Sequence, residues 1–410
     1  MTSVADPAMT HRRPTEAAAA PVASTRDIRL DFFRGLAMFI ILVAHTPRNF
    51  FTSWIPARWG FSDATEIFVF CSGMASAIAF GRSFDRAGWA LGTGRVGYRV
   101  WQVYWAHIGM FFAIATMLAA FDIYGNFDKA YIGTLNLSKF FADPGPQLVG
   151  LFTLTYVPNY FDILPMYMVI LVMMPMMVAL SRVNLWAVAG AMGLIWLFAQ
   201  RAVLEALGLE AWHLGFPAEP WSDRKWFFNP FGWQLVFFTG FAFMRGWLPK
   251  PPVNKVLIAI AAAIVIANIP LSNIGVREFG FEWARDWRIA NRGLFNKSDF
   301  GILRYVHFLA LAYLCWTAAG DGGNRLRAVG NGFIAHVWGV LLKMILKVGQ
   351  QSLAVFVFSM VFARFSGFVM DQIGRNTWNM TLANLIGFGA LIAVAYTVAW
   401  FKSHPWRGAK

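Results

Sequence analysis

The stretch RLDFFRGLAMFIILVAH, from Arg29 to His45, is the clearest indication of the class of fold. Its middle is apolar, yet Asp31 and Arg34 stand near one end and His45 at the other. Apolar blocks of about 17–24 residues recur along the chain, and that length matches the hydrocarbon thickness of a bilayer. We therefore expect this stretch to be the first of several membrane-spanning helices.

The composition of the whole chain also indicates a membrane protein. Hydrophobic residues make up 58% and charged residues 14% of the 410 residues, whereas soluble domains carry about 25% charged residues. The net charge of +14 is spread over loops without a dense basic run, so we expect the lipid bilayer as partner and no nucleic acid.

We predict an all-α fold, a polytopic membrane helix bundle with about ten transmembrane helices. Their approximate limits are 31–50, 63–81, 99–121, 160–181, 185–204, 230–247, 254–270, 300–319, 346–367 and 380–401. Lys and Arg are concentrated in alternate connections, which predicts that both termini are cytoplasmic. The segment 333–345 is expected to be an amphipathic helix on the inner face, and GTGRVGYR at 92–99 a loop between spans.

The predicted organisation is a single transmembrane domain over residues 27–405. Residues 1–26 are rich in Ala, Pro, Thr and Arg and lack an apolar core, so they are expected to form a disordered cytoplasmic tail and not a signal peptide. Residues 406–410 are expected to form a second cytoplasmic tail.

Arg34 and His45 share one face of the first predicted helix. Eleven residues at 100° each bring them within about 20° of one direction, about 16 Å apart along the axis. Ionisable groups inside spans usually face a bundle interior or a water-filled path. Two simpler interpretations stay open: Arg34 extends to the interface and pairs with Asp31, and His45 lies in the headgroup layer.

The second span begins at the depth of His45 with Asp63 and Glu66. A carboxylate beside a histidine holds its tautomer and raises its basicity, as a general base requires. The alternative is that the two acids cap the helix N-terminus. Further ionisable groups reach the same outer depth, namely Asp162 at the fourth span and Arg304 and His307 at the eighth.

Two sites at different depths are thus expected. Arg82, Arg95 and Arg99 gather at the inner level near Arg34 and its neighbour Asp31, and this basic group suits a phosphorylated cofactor. The outer level has a histidine and carboxylates, which suit proton transfer. A coenzyme A thioester has phosphates at one end and a reactive carbonyl at the other, so it would join the two sites in acyl transfer to an extracytoplasmic hydroxyl. We find no zinc-ligand spacing and expect no metal.

Several segments together resemble one known family. They are RLDFFRGLAMFIILVAH, GFSDATEIFVFCSG, YFDILPMY, FNPFGWQLVFFTG, the region around RYVHFLALAYL, and GQQSLAVFVFS. In this order they resemble the OpgC-type membrane succinyltransferases of osmoregulated periplasmic glucans. The Arg-x10-His spacing of Arg34 and His45 is similar to that of acyltransferase family 3.

The resemblance implies about ten spans in the bacterial inner membrane, acyl-CoA on the cytoplasmic side and a periplasmic glucan as acceptor. It also implies succinyl as the acyl group, hence succinyl-CoA as donor. The sequence predicts no oligomeric state.

We assign hypothetical roles on this basis. His45 takes the proton of a glucan hydroxyl, and Glu66 or Asp63 orients it. Arg34, with Arg82 or Arg99 and beside Asp31, holds the coenzyme A phosphates. The predicted substrate-binding residues are Asp162, Asn229, Trp233, Gln234, Arg304 and His307, with Arg304 on the succinyl carboxylate or the developing oxyanion.

Two questions stay open at the level of sequence. Direct transfer and a covalent acyl intermediate on His45 are equally compatible with these residues. A proton-coupled transporter of a polar solute would use similar intramembrane groups, although we find no internal repeat of the kind common in transporters.

Overall fold

The computed structural model describes residues 27–125 and 127–408, and the predicted tail 1–26 lies outside the described residues. The described chain is helical, with one isolated β-bridge between Pro217 and Lys225. The main helices are α1 Arg29–His45, α2 Ala64–Ser76, α3 Arg82–Tyr124, α4 Ile163–Val183, α5 Leu185–Phe198, α6 Pro230–Arg245, α7 Lys255–Ala267, α8 Ile302–Ala319, α9 Phe333–Gln350, α10 Ser352–Ile373 and α11 Thr377–Lys402. Shorter helices are Pro56–Trp59, Ser138–Ala142, Pro144–Thr153, Arg201–Ala206, Asn273–Arg277 and Glu282–Ala290.

Six helical stretches among the described residues are long and apolar enough to cross a membrane. They are Ala64–Tyr124, Ile163–Val183, Ile302–Ala319, Phe333–Gln350, Ser352–Ile373 and Thr377–Arg407. Two shorter apolar helices, α5 and α7, coincide with further predicted spans. The all-α class is confirmed for the described residues, whereas the number of ten spans and the side of the termini stay predictions.

The second and third predicted spans form one helical stretch that is bent at Gly88. A π-helical turn, Ala77–Gly81, continues α2 into α3, and Gly88 has φ 79° and ψ 177°. A positive φ is strained for residues with a Cβ, so a glycine allows the chain to change direction here. The residues after the bend form a continuous helix to Tyr124, so the segment 92–99 is helical and the prediction of a loop is wrong.

Close helix contacts build the core of the bundle. A Cβ at Gly73 of α2 would lie 1.9 Å from the carbonyl oxygen of Phe237 on α6, and one at Gly240 of α6 would lie 2.3 Å from that of Phe70. The backbones of α2 and α6 therefore touch, which is how small residues drive packing between membrane helices. Helix α1 packs against α2, α9 and α10.

Helix α9 covers the segment that was predicted to be amphipathic, and α10 begins later than predicted, at Ser352. Both halves of α9 contact the N-terminal end of α1 or its neighbours. Trp338 donates to the carbonyl of Leu326, and Gly349 lies against the backbone of Asp31. The 320–326 segment reaches the same end, since the Ile28 amide donates to the Gly322 carbonyl. Helix α9 therefore packs against α1 and α11, and its length and apolar composition make it a candidate span.

Candidate functional site

Helix α1 turns its two polar ends towards the same three helices. We call the two ends of the bundle the Arg34 end and the His45 end. Arg34 donates to the Ser352 hydroxyl on α10 and lies near Cys71 on α2 and Tyr167 on α4. His45 interacts with Arg364 on α10, Asp63 directly before α2 and Tyr160 shortly before α4. Both side chains therefore lie on the face of α1 that looks at α2, α4 and α10.

The imidazole of His45 is held in one tautomer by its own helix. Its Nδ1 lies 2.8 Å from the carbonyl oxygen of Ile41, one turn earlier. A carbonyl oxygen only accepts hydrogen bonds, so Nδ1 carries the proton and Nε2 keeps a lone pair in the neutral ring. The ring is half-buried. His45 thus presents a base, Nε2, from a fixed position.

Tyr160 and Arg364 lie close to His45. The rings of His45 and Tyr160 pack edge to face with centroids 5.3 Å apart. The guanidinium carbon of Arg364 lies over the ring of Tyr160, 4.0 Å from the ring centroid. Tyr160 is held by its hydroxyl, which donates to the carbonyl of Met360 at 2.7 Å.

Four charged side chains at the His45 end form what we call the charge quartet, Asp63, Glu66, Lys297 and Arg304. Glu66 is 0% exposed and accepts from Arg304 Nε at 2.7 Å. Asp63 accepts from Lys297 Nζ at 2.5 Å and lies 3.5 Å from Arg304. Two carboxylates therefore balance two cations, as a buried charged group requires.

The contact predicted between a carboxylate and His45 is not formed. Asp63 and Glu66 form a capping box at the start of α2, so the alternative interpretation as helix caps is confirmed. The remaining oxygen of Glu66 is taken by Arg304. His45 Nδ1 pairs with a backbone carbonyl instead, and Asp63 acts on His45 only through its electric field.

Arg304 and His307 of α8 both face the start of α2. Arg304 belongs to the charge quartet, so its guanidinium is already paired and the predicted contact with an acyl carboxylate is not supported. The Nδ1 of His307 lies 2.7 Å from the Ser62 hydroxyl and 3.3 Å from the Ser62 amide. An amide only donates, so Nδ1 accepts and this buried histidine anchors the loop before α2.

The other predicted substrate-binding residues have partners within the fold. Asp162 accepts from the Phe227 amide at 2.8 Å. Asn229 caps α6 and donates to the carbonyl of Leu214. Gln234 donates to the carbonyl of Met192 on α5, and Trp233 to that of Lys297 at 2.9 Å. These four residues fasten loops and helices together, and only Trp233 reaches the charge quartet, through the backbone of Lys297.

A polar cleft of about 250 Å³ opens beside the charge quartet. Residues from three segments line it, among them Arg201, His213, Arg224, Lys225, Ser298 and Asp299. Ser298 directly follows Lys297, so the cleft and the quartet share one loop. Such a mixture of donors and acceptors suits a hydroxyl-rich ligand better than an apolar one.

The Arg34 end is basic. The guanidinium of Arg34 hydrogen-bonds the Ser352 hydroxyl, not Asp31, and its buried Nε has no partner. Asp31 accepts from Gln350 Nε2 at 3.3 Å. The charge of Arg99 acts on both Arg34 and Lys402, and Lys402 donates to Gln351. Arg34, Arg99 and Lys402 thus form a chain of neighbouring cations, and Asp31 acts on Arg34.

Arg82 lies in a different place from the one predicted. It lines a cleft of about 630 Å³ with Arg86 and Arg95, where α2 continues into α3. Arg95 donates to Ser83 there. No contact in the described part of the chain joins Arg82 to Arg34, so the structure brings Arg99 towards Arg34 and leaves Arg82 apart.

Comparison with known proteins adds one decisive finding. The family model described as OpgC protein matches residues 26–403, nearly the whole chain. The chain belongs to the OpgC family. A search of curated proteins and a search of solved structures each gave no significant match. OpgC membership and the long apolar helices fit a membrane-associated function, and the family points to a transferase.

Sequence reasoning missed four residues of this candidate site. Arg364 and Tyr160 lie in predicted spans, and a lone arginine in an apolar span is itself a signal of function. Lys402 stands at the end of the last span and is visible only as one more loop cation. Lys297 lies far along an outer loop, where no sequence signal connects it with Asp63.

Proposed function

We propose that this OpgC-family protein is a membrane O-acyltransferase that moves an acyl group from acyl-CoA at the Arg34 end to a glucan hydroxyl at the His45 end. The proposal depends mainly on one observation: Arg34 and a histidine with a free Nε2 lie at opposite ends of one helix face. They are about 16 Å apart along the axis, which suits a long donor with phosphates at one end and a thioester at the other.

The donor fits the side chains at the Arg34 end. Phosphate groups bind where several cations lack carboxylate partners. Arg34, Arg99 and Lys402 hydrogen-bond hydroxyl or amide groups, and the Nε of Arg34 is buried without a partner. An anionic donor would supply the missing charge. The cytoplasmic side and succinyl as the acyl group are parts of the proposal that the family resemblance suggests.

The reaction uses the free nitrogen of His45. Nε2 takes the proton of the glucan hydroxyl while the oxygen attacks the thioester carbonyl. The new C–O bond forms, the C–S bond breaks, and the coenzyme A sulfur takes the proton back from the imidazolium. The Ile41 carbonyl keeps Nδ1 protonated throughout, so Nε2 is always the reacting nitrogen. The glucan would approach through the polar cleft beside the charge quartet.

The test is acylation of periplasmic glucan by the full chain in proteoliposomes with acyl-CoA, read by mass spectrometry. We expect the wild-type protein to add the acyl mass and His45→Ala to add none, a loss of at least about 100-fold for a general base. His336→Ala, which changes an exposed histidine on α9, is the matched control and should keep full activity.

Two outcomes would overturn the proposal. One is an active His45→Ala protein at normal membrane level. The other is a wild-type protein that adds no acyl mass but carries a polar solute across the bilayer, which would favour the transporter. If acyl transfer occurs, acid quenching during turnover distinguishes the two routes, because only the two-step route leaves acyl-His45.

A further inference from the structure

Arg364 is a cation inside α10 without an acidic partner. Across the described ranges, 27–125 and 127–408, no ion pair joins it to a carboxylate, and its buried Nε has no hydrogen-bond partner. Asp371, two turns further along α10, is already paired with Arg48, Lys129 and Arg375. Cations within spans normally pair with acids or mark a ligand path.

Lys297 and Arg304, two other cations at the His45 end, differ from Arg364 in having acidic partners. Lys297 and Arg304 are each paired with a carboxylate of the charge quartet. Arg364 lies over the face of Tyr160 and interacts with its hydroxyl, and its charge acts on His45. A guanidinium has five N–H donors, so these contacts leave donors for a planar, bidentate anion such as a carboxylate.

The position of Arg364 limits the ligand to a small one. Its guanidinium carbon is 4.0 Å from the ring centroid of Tyr160, and that centroid is 5.3 Å from the ring centroid of His45. The guanidinium carbon and the centroid of the imidazole therefore lie at most 9.3 Å apart. The Tyr160 hydroxyl is fixed to Met360, one turn before Arg364 on the same helix, which keeps this spacing. A four-carbon chain places its terminal carboxylate roughly 4 Å from its thioester carbonyl, which fits between Arg364 and His45.

We propose that Arg364 binds the terminal carboxylate of the acyl group and selects donors whose acyl chain ends in a carboxylate. The inference rests on the proposed acyl transfer at His45, and it moves to Arg364 the role that sequence reasoning gave to Arg304. The bound carboxylate neutralises the unpaired guanidinium and places the thioester carbonyl beside Nε2.

The experiment compares two donors of equal chain length, succinyl-CoA and butyryl-CoA, with the full chain in proteoliposomes. The wild-type protein should prefer succinyl-CoA in kcat/KM by at least ten-fold. Arg364→Met should lose at least ten-fold on succinyl-CoA and keep butyryl transfer, so that the preference disappears. Arg364→Lys keeps the charge without the bidentate edge and should retain part of the preference. Arg86→Ala, an exposed cation in the other cleft, should leave it unchanged.

The outcomes separate this inference from the proposed function. No transfer from either donor by the wild-type protein contradicts the proposed function. Transfer by the wild-type protein without a preference for succinyl-CoA overturns the assignment of Arg364 alone. An equal loss of activity on both donors in Arg364→Met also overturns it, and would indicate that Arg364 contacts the acceptor or the oxyanion. If Arg364→Met does not fold, Arg364→Lys decides: an unchanged preference overturns the assignment.

Discussion

The two ends of the bundle handle charge in opposite ways. At the His45 end the charge quartet pairs two carboxylates with two cations, and Glu66 is 0% exposed. At the Arg34 end, Arg34, Arg99 and Lys402 hydrogen-bond hydroxyl and amide groups, and none of the three forms an ion pair with a carboxylate among the described residues. One end is therefore neutralised by the fold itself, and the other keeps a positive excess.

The difference distinguishes charged residues that stabilise the fold from charged residues that can bind a ligand. Charges that are paired and buried are needed for folding, because removal of one partner leaves the other desolvated and unpaired. Charges without acidic partners are available to a ligand of opposite sign. Among the described residues of the His45 end, Arg364 belongs to this second group although it lies beside the first.

The largest effect is expected from breaking the charge quartet. Glu66→Gln leaves the buried guanidinium of Arg304 with only Asp63 at 3.5 Å, and should cost about 3–5 kcal/mol of stability. The measurement is thermal unfolding in detergent with the yield of monodisperse protein. Replacement of both partners, Glu66→Met with Arg304→Met, should recover much of the stability.

The matched control is the Asp85–Arg245 pair. Its N–O distance is 2.7 Å, but the Asp85 side chain is 53% exposed, and exposed pairs contribute at most about 1 kcal/mol. Asp85→Asn should therefore unfold close to the wild-type temperature. If Glu66→Gln is as stable as Asp85→Asn, burial does not distinguish the two ends and the comparison fails.

A smaller effect, on binding and not on stability, is expected at Arg34. Arg34→Ala should raise the KM for acyl-CoA by about 10- to 150-fold, the equivalent of a hydrogen bond to a charged group. Unfolding should change little, because the replacement breaks no ion pair and removes one hydrogen bond, to the Ser352 hydroxyl. Arg86→Ala is the control, because it also removes one positive charge. An equal rise in the KM of this variant for acyl-CoA would show that the overall positive charge, and not the Arg34 end, attracts the donor.

The smallest effect is expected at Lys402. Its ammonium group is exposed and donates to Gln351 at 2.7 Å, so Lys402→Ala should raise the KM for acyl-CoA by about two- to five-fold, the range of an exposed charge interaction. Steady-state kinetics at low and high salt measures it. If the KM is insensitive to both the variant and salt, Lys402 is not part of the donor site.

The sequence alone was enough to predict the class of fold and the shared helix face of Arg34 and His45. Apolar blocks of bilayer length determine helices by composition alone, and the eleven-residue spacing of Arg34 and His45 determines a shared face by helical geometry. The capping box of Asp63 and Glu66 is equally local, since its partners are three residues apart.

Only the tertiary structure decided which charges meet. Lys297 reaches Asp63 from 234 residues away, and Arg304 reaches Glu66 from 238. These pairs occupy the carboxylates that were expected beside His45. The packing of separate helices also places Arg82 in another cleft and leaves Arg364 without an ion pair to an acid among the described residues. The physical reason is that a helix fixes directions within itself, whereas the partner of a buried charge depends on how separate helices pack, which no local pattern encodes.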